Sequence, residues 1–246
     1  MNWIKKKWVK RLLAVCLVLL ALTAVCVVYL EDYYRADQAR IQAFLSEYDV
    51  GYCQNEAGDV IVQPENADAG FIFYPGGKVE HTAYIPLAAA LGAEGILCVV
   101  PQMPFRLAVF DMDAAKEIRQ QFPEIEHWYI GGHSLGGAMA ASHLSEHTEE
   151  YEGLILLGAY STEDLSESER SVLSVYGSED RVLDLKDYEE YKKNLPKDFA
   201  QVILDGGCHA YFGMYGEQDG DGTATIGNEQ QIVMTAELIA NMMGQR

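Results

Sequence analysis

The sequence predicts an α/β fold, a mostly parallel β-sheet with helices on both of its faces, preceded by one N-terminal transmembrane helix. Three observations lead to this fold class. From Phe71 onward, short apolar runs alternate with helix-like segments, which is the pattern of β-α-β units. The runs are so apolar that they suit parallel strands covered by helices on both sides. An uncharged segment at residues 12–30 precedes this pattern and is long enough to span a bilayer.

Each apolar run in the second part of the chain predicts one strand, and the segments between the runs predict helices. The predicted strands are residues 71–74, 96–100, 128–130, 154–157, 172–176 and 202–204. The predicted helices lie near residues 84–91, 108–121, 135–146, 186–194 and 229–243. A hairpin of 50–53 and 60–62 is expected before them, because the turn signal Gly58-Asp59 separates these two segments.

Length and charge limit the possible functions. A chain of 246 residues suffices for one large α/β domain or at most two small ones, and we see no internal repeat or second domain. The net charge is −19, although all the charge in residues 1–30 is positive. The remaining residues carry 13 basic and 37 acidic side chains. Such a domain repels phosphate backbones, so no nucleic-acid partner is predicted.

The uncharged segment 12–30 is expected to be a membrane anchor. As a helix it would be about 28 Å long, close to the hydrocarbon thickness of a bilayer. Five basic residues precede it: Lys5, Lys6, Lys7, Lys10 and Arg11. By the positive-inside rule they keep the N-terminus in the cytoplasm. The predicted segments are a cytoplasmic basic tail at 1–11, a transmembrane signal anchor at 12–30, a helical stalk at 31–49 and an extracytoplasmic domain at 50–246.

Cleavage of this segment as a signal peptide is the alternative, and it would give a secreted protein. Leu22-Thr23-Ala24 is a poor cleavage site, because the first of these residues is not small. Lipid attachment at Cys26 would need a small residue before it, where the branched Val25 stands. We therefore favour an uncleaved signal anchor.

No metal site, cofactor or disulfide framework is predicted. Asp219-Gly220-Asp221-Gly222 resembles the start of a calcium-binding loop, but Ala224 and Gln230 stand where that loop needs glycine and glutamate. Two of the five cysteines, Cys16 and Cys26, lie in the apolar segment. One disulfide is possible among Cys53, Cys98 and Cys208, but no spacing argues for one, and buried free thiols are the favoured interpretation.

Ser134 is the candidate nucleophile. It occupies the centre of a G-x-S-x-G pattern, with a predicted strand before it and a predicted helix after it. This is the setting of a nucleophile elbow, in which a strained turn exposes the serine hydroxyl. Gly132 and Gly136 are expected where any Cβ would collide with the neighbouring strand or helix. The N–H of Leu135 is a candidate oxyanion donor. In the alternative interpretation, Ser134 only caps a helix after a glycine-rich turn.

A serine hydroxyl needs a base within hydrogen-bond reach, and His209 is the candidate. It follows the last predicted strand and precedes the terminal helix. That position matches the chain order serine, acid, histidine. His133 adjoins the nucleophile and is expected to point elsewhere. The other four histidines are expected to face solvent: His81, His127, His143 and His147.

The acid that orients the histidine is expected after another strand end. Asp180 fits best, because the turn after residues 172–176 can present it to the His209 loop. Glu179 is the runner-up, and Asp205 leaves its strand too early. For Asp180 alone, a surface turn aspartate is the alternative interpretation.

An early strand is expected to supply the second oxyanion donor and part of the substrate pocket. Gly77 is the candidate donor, because glycines after residues 71–74 let the backbone approach an oxygen closely. Lys78 would add positive charge near the site, or it is a solvated loop lysine. Tyr211 and Phe212 would line an acyl pocket, or they pack the loop after His209.

These residues together resemble the α/β-hydrolase superfamily over nearly all of residues 50–246. More narrowly, the chain is similar to small bacterial membrane-anchored α/β-hydrolases related to dienelactone-hydrolase-like enzymes. The shared segments are 73–79, with Pro75-Gly76-Gly77, the elbow around Ser134, residues 177–180 and residues 207–213. The resemblance implies a triad of Ser134, Asp180 and His209. It implies no particular substrate.

Departures from related groups narrow this resemblance. Pro75 stands where one lipase and esterase branch has histidine, and a serine at the elbow argues against dehalogenases and epoxide hydrolases. The connection between residues 157 and 172 is too short for a large lid. An open mouth favours short acyl esters or a surface-bound substrate.

The predicted activity is hydrolysis of a carboxylic ester or thioester through an acyl-enzyme, on a small-molecule or envelope-derived acyl substrate. An acyltransferase with the same triad and a non-catalytic envelope binding protein are the alternatives. The sequence does not indicate an oligomeric state.

Overall fold

The apolar segment near the N-terminus forms a single long helix. The computed structural model of the chain describes residues 2–48 and 50–244, and it places helix α1 at Asn2–Glu31. Met1, Asp49 and residues 245–246 are the outer ends of the predicted segments 1–11, 31–49 and 50–246, and they lie outside the described residues. Two units are distinguished, with the division between Tyr33 and Tyr34.

Helix α1 accounts for nearly all of the first unit. Within the described residues it is the one helix long and apolar enough to cross a membrane, over Lys7–Glu31. This agrees with the single apolar span predicted from the sequence. A membrane anchor and a signal sequence share this length and composition.

Among the described residues, one sheet of eight strands organises the second unit. The strands are β1 Cys53–Gln54, β2 Val60–Val62, β3 Ala69–Tyr74, β4 Leu97–Val100, β5 His127–His133, β6 Gly153–Leu157, β7 Ser171–Gly177 and β8 Ala200–Leu204. Their order is β1-β2-β4-β3-β5-β6-β7-β8. The pairings β1-β2 and β2-β4 are antiparallel, and all others are parallel. The predicted hairpin and all six predicted strands are therefore confirmed, within a mostly parallel sheet.

In the part of the chain that the structure describes, six α-helices accompany the sheet. They are α2 Gln38–Leu45, α3 Ile85–Ala93, α4 Ala114–Gln121, α5 Leu135–Glu146, α6 Leu185–Tyr191 and α7 Asn228–Met242. Helix α4 begins later than the predicted 108–121, because Asp111 has an extended φ of −154° that ends a separate 3-10 turn at Ala108–Phe110. Aspartate hydrogen-bonds readily to nearby backbone in non-helical conformations, which favours such a break.

The sheet is covered on both faces, as predicted. Along β3, Phe71 and Phe73 face one apolar cluster, which contains residues of α2, α3 and α7. Ile72 and Tyr74 face a second cluster, which contains residues of α4 and α5. This alternation is the period-2 pattern of a strand, with both faces buried.

Of the segment predicted as a helical stalk, 31–49, residues 34–48 belong to the second unit and contribute to its core. The helix in this part is α2, where Ile41 is fully buried and Phe44 is 5% exposed. Asp37 caps the helix by accepting a hydrogen bond from the Arg40 N–H. The apolar side of this amphipathic segment therefore packs against the domain, next to α3.

The loops at the carboxyl ends of β3, β5, β6, β7 and β8 position the candidate site. The connection from β6 to β7, residues 158–170, contains no helix or strand. This short connection agrees with the prediction that no large lid is inserted between β6 and β7.

The described cysteines are free thiols. Cys98 and Cys208 are buried, as the favoured interpretation has it, and burial raises the pKa of both thiols. Cys53 is exposed instead, because it lies on the short edge strand β1.

Candidate active site

Ser134 occupies a strained turn between β5 and α5. Its φ of 52° and ψ of −124° lie where non-glycine residues are rarely found. Its N–H donates to the Leu157 carbonyl of β6, and its carbonyl accepts from the Ala138 N–H in the first turn of α5. The strand, the turn and the helix therefore form the predicted elbow, in which the serine side chain stands clear of both elements.

Two glycines allow this turn to form. A Cβ placed on Gly132 would lie 2.4 Å from the carbonyl oxygen of Tyr74, and one on Gly136 would lie 2.2 Å from the same oxygen. Both separations are far below van der Waals contact with backbone that cannot yield. This confirms the expectation that a Cβ at either position would collide with a neighbouring element.

His209 and Asp180 form a buried pair beside this turn. Nδ1 of His209 lies 2.8 Å from Oδ2 of Asp180, and the two side chains are 1% and 0% exposed. The other carboxylate oxygen accepts the backbone N–H groups of Val182 and Leu183, at 2.9 and 2.8 Å. The carboxylate is thus held in place by both of its oxygens.

Of the other two acids considered, neither pairs with the histidine in the described structure. Glu179 turns toward Arg181, 3.5 Å away, and Asp205 is exposed. Asp180 is therefore the acid that the fold brings to His209.

Ser134 and His209 line one cleft of about 380 Å³. Its walls include Leu135, Met139 and Val182. Nε2 of His209 is buried and makes no hydrogen bond within the described residues. An imidazole whose Nδ1 is held by a carboxylate has this second nitrogen free to accept a proton.

Gly158, at the end of β6, leaves room for the buried pair. Its φ is +53°, and a Cβ on it would lie 2.9 Å from Nδ1 of His209 and 3.2 Å from Oδ2 of Asp180. Sequence reasoning missed this residue, because one glycine after a strand carries no signal of its own.

Two further residues that the sequence did not reveal hold the His209 loop. Asp221 accepts the N–H groups of His209 and Ala210, at 3.2 and 2.8 Å. Gln231 of α7 is fully buried and bonds both the N–H and the carbonyl of Cys208. Asp221 belongs to the rejected calcium-loop sequence, and here it stabilises a turn through backbone hydrogen bonds.

The two residues that carry the candidate oxyanion donors, Gly77 and Leu135, are neighbours in the structure. A Cβ on Gly77 would be 3.0 Å from Cδ2 of Leu135, so the loop after β3 lies against the start of α5. In the described part of the chain, the N–H groups of Gly77 and Leu135 have no acceptor. Two such donors beside a nucleophile, one of them at a helix N-terminus, can stabilise a developing oxyanion.

Two buried residues, Tyr84 and His133, support the loop that contains Gly76 and Gly77. The Gly76 N–H donates to the Tyr84 hydroxyl at 3.0 Å, and the hydroxyl lies 2.8 Å from Nδ1 of His133. His133 is 1% exposed, and its ring centroid lies 4.4 Å from that of His209. Burial lowers the pKa of His133 well below its usual range, so this imidazole is neutral and the Tyr84 hydroxyl can donate to it.

The family model that describes the alpha/beta hydrolase family matches residues 70–233, about two thirds of the chain. The chain belongs to the alpha/beta hydrolase family. The predicted resemblance to the α/β-hydrolase superfamily is thereby confirmed. No curated protein matches the sequence.

Solved structures share the fold of this alpha/beta hydrolase at low sequence identity. The esterase domain of a Rhodothermus marinus protein is 14% identical, with 78% of this chain and 96% of that chain covered and a TM-score of 0.57. Est1E from Butyrivibrio proteoclasticus is 13% identical, with coverages of 79% and 99% and a TM-score of 0.56. Dienelactone hydrolase from Anabaena variabilis is 14% identical, with coverages of 80% and 98% and a TM-score of 0.57.

The three side chains considered for substrate binding do not line the cleft of this alpha/beta hydrolase. Phe212 is 1% exposed and packs against the His133 ring, so it belongs to the core. Tyr211 lines a separate cavity of about 150 Å³ with Glu217. Lys78 has a φ of +58°, and its backbone bonds to Arg106 and Tyr34. The loop-packing interpretation is the one realised for Phe212.

The expectation that four further histidines face solvent is wrong for two of them. His81 is 8% exposed, and its Nε2 lies 2.9 Å from the Gly58 carbonyl. His143 is 3% exposed, because it projects from α5 toward Asp113 and Tyr151. Of the other two histidines, His127 and His147, His127 is exposed.

Proposed function

We propose that this alpha/beta hydrolase is a serine hydrolase that cleaves carboxylic esters or thioesters, with Ser134 as nucleophile, His209 as base and Asp180 as its partner. One observation carries the proposal. His209, which is paired with the buried Asp180, lines the same cleft as Ser134, which lies in a strained turn. Such a combination of nucleophile, base and orienting acid is the requirement for acyl transfer through serine.

The proposed reaction begins when Oγ of Ser134 attacks the carbonyl carbon of the substrate and Nε2 of His209 takes the hydroxyl proton. Asp180 holds the Nδ1–H tautomer and stabilises the imidazolium that forms. The N–H groups of Gly77 and Leu135 donate to the tetrahedral oxyanion. His209 then gives its proton to the departing alcohol or thiol, which leaves an acyl-enzyme.

Water completes the cycle. His209 removes a proton from a water molecule that attacks the acyl carbon, and the Ser134 oxygen leaves with that proton. If an alcohol or amine takes the place of water, the same triad performs acyl transfer instead.

The cleft favours small acyl groups. Its volume of about 380 Å³ lies at the lower end of ligand-pocket sizes, and its walls contain Leu135, Met139 and Val182. The connection 158–170 adds no helix that would enclose a long chain. We therefore expect short acyl esters, or a small-molecule or envelope-derived acyl substrate presented at a surface.

Fluorophosphonate labelling tests the nucleophile. The wild-type chain should react with the probe, and Ser134→Ala should abolish the reaction while leaving the melting temperature nearly unchanged. Ser46→Ala, which changes an exposed serine at the end of α2, is the matched control and should label fully. Labelling of Ser134→Ala would place the nucleophile elsewhere. An unreactive wild-type chain would favour a non-catalytic binding protein.

A series of p-nitrophenyl esters tests the substrate class. We expect kcat/KM to be highest for short acyl groups and to fall as the acyl chain outgrows the cleft. Adding a competing alcohol and analysing the products separates hydrolysis from acyl transfer. An ester product that dominates over the free acid would make the protein an acyltransferase.

We also propose that the N-terminal helix anchors the protein in the cell membrane, with the N-terminus in the cytoplasm and the domain outside it. The five basic residues that precede the apolar span support this orientation. Protease treatment of intact cells should digest the domain to the same extent as treatment of lysates. Protection of the domain in intact cells would reverse the orientation, and release of the domain into the medium would indicate signal cleavage.

A further inference from the structure

Three potential metal ligands meet at the far end of helix α5 from Ser134. His143 and His147 lie one turn apart, and Asp113, which precedes α4, lies against both of them. Oδ1 of Asp113 is 2.9 Å from Nδ1 of His143 and 3.9 Å from Nε2 of His147. One ligand atom from each residue lies within 4.8 Å of the other two.

The second nitrogen of each imidazole has a partner outside this cluster. Nε2 of His143 lies 2.9 Å from the Tyr151 hydroxyl, and Nδ1 of His147 lies 3.5 Å from Oε1 of Glu150. Histidines that bind metals usually hydrogen-bond through their other nitrogen to a carboxylate, hydroxyl, carbonyl or water, which orients the ring and selects the tautomer. Both rings here are therefore oriented with their remaining nitrogens toward Asp113.

We propose that Asp113, His143 and His147 bind a divalent transition-metal ion, and that the ion they suit best is Zn²⁺. Two imidazoles and one carboxylate are a donor set that zinc commonly takes. Ligands at tetrahedral zinc distances lie about 3.3 Å from one another, and the two separations from Oδ1 of Asp113 bracket this value. Asp113 is 72% exposed, so water can occupy a fourth position.

Electrostatics at this end of α5 favour a cation. The last carbonyls of the helix carry partial negative charge, and His147 is the C-cap residue. Glu149 and Glu150 follow after Thr148, although Arg170 and Arg119 pair with them. The domain as a whole is strongly acidic.

A hydrogen bond alone accounts for only part of this arrangement. A proton shared between Asp113 and His143 explains their 2.9 Å contact. It does not explain why His147 directs Nε2 toward the same carboxylate oxygen while its Nδ1 lies 3.5 Å from Glu150. A bound ion would satisfy all three ligands and would tie the end of α5 to the start of α4.

The site would stabilise the fold and would take no part in the acyl-transfer chemistry. Helix α5 has 12 residues, so its two ends are about 18 Å apart. Zinc binding at this end of α5 is therefore independent of the function proposed for Ser134.

Zinc binding by the tag-free full chain in detergent tests the proposal. The chain is freed of metal with a chelator, titrated with ZnCl₂ alone, and analysed for bound zinc and for its melting temperature. We expect one zinc per chain and a melting temperature that rises with zinc. Asp113→Asn and His147→Gln should each lower zinc affinity at least tenfold and remove most of that rise.

Controls keep the outcome interpretable. His127→Gln changes an exposed histidine that also contacts a carboxylate, Glu152 at 3.4 Å, and it should bind zinc like the wild type. The metal-free variants Asp113→Asn and His147→Gln should melt close to the metal-free wild type, because neither side chain is fully buried. Absence of bound zinc in the wild type would overturn the proposal. So would zinc affinity that neither variant changes.

Discussion

Nδ1 of His209 lies 2.8 Å from Oδ2 of Asp180, and the two side chains are 1% and 0% exposed. The two residues follow neighbouring parallel strands, β8 and β7, so the order of the sheet brings their loops together. A carboxylate in this position fixes which imidazole nitrogen carries the proton.

Asp180→Asn should lower kcat by about 10⁴, because the amide no longer holds the productive tautomer of His209. The fold should survive, since the amide oxygen can still accept the N–H groups of Val182 and Leu183. Ester hydrolysis by the purified chain measures the loss. Glu179→Gln is the matched control and should keep nearly full activity. Equal losses in the two variants would remove Asp180 from its assigned role.

Much of this architecture is predictable from the sequence, because strands buried on both faces must be apolar runs and helices must lie between them. Which loop residues pair with each other is harder to predict. Glu179 and Asp180 are adjacent in the sequence, and which of them reaches His209 depends on a backbone turn in which the N–H groups of Val182 and Leu183 donate to the aspartate.

Burial of single polar residues is harder still. The hydrogen-bond partners of the buried His143 lie 30 and 8 residues away along the chain, so no local sequence pattern indicates its burial. Gly158 matters only because the packed His209–Asp180 pair lies against it. Such features depend on tertiary contacts rather than on periodicity or spacing.

Gly158→Ala should lower kcat by about a hundredfold or more, because the new Cβ would displace His209 from its productive position. The control is Gly95→Ala. Gly95 also has a positive φ, +83°, but nothing lies within 4 Å of the position that an added methyl group would take. Both substitutions strain the backbone by about 1 kcal/mol, and only the first should impair hydrolysis. Comparable kcat values for the two variants would contradict the steric argument.

Stability should decrease as the pH falls below about 6.5. Burial lowers the pKa of His133 well below its usual range, and it also lowers the pKa values of His81 and His143. The unfolded chain therefore binds protons that the folded chain rejects. The stability that these neutral, buried imidazoles provide is fully present above the pKa of histidine in the unfolded chain. It is lost as the pH falls below that pKa. Urea unfolding midpoints at about pH 7.5, 6.5 and 5.5 measure the effect.

The histidine origin of this pH dependence can be isolated with one variant. His81→Gln removes one of the three buried imidazoles. Its unfolding midpoint should therefore change less between about pH 7.5 and 5.5 than that of the wild type, and the difference should be about the contribution of one histidine. A wild-type midpoint that stays constant or rises over this range would contradict the prediction.

Tyr84→Phe should impair catalysis from a position outside the cleft. The change leaves the buried Gly76 N–H without an acceptor and Nδ1 of His133 without a partner, at a cost of about 1–3 kcal/mol. The loop that carries the Gly77 N–H then loses its support, so kcat should fall by about tenfold or more with little change in KM. Tyr151→Phe breaks an equivalent buried hydroxyl-imidazole contact at the other end of α5. It should lower the melting temperature similarly and leave kcat intact, and an equal loss of kcat in both variants would exclude a positioning role for Tyr84.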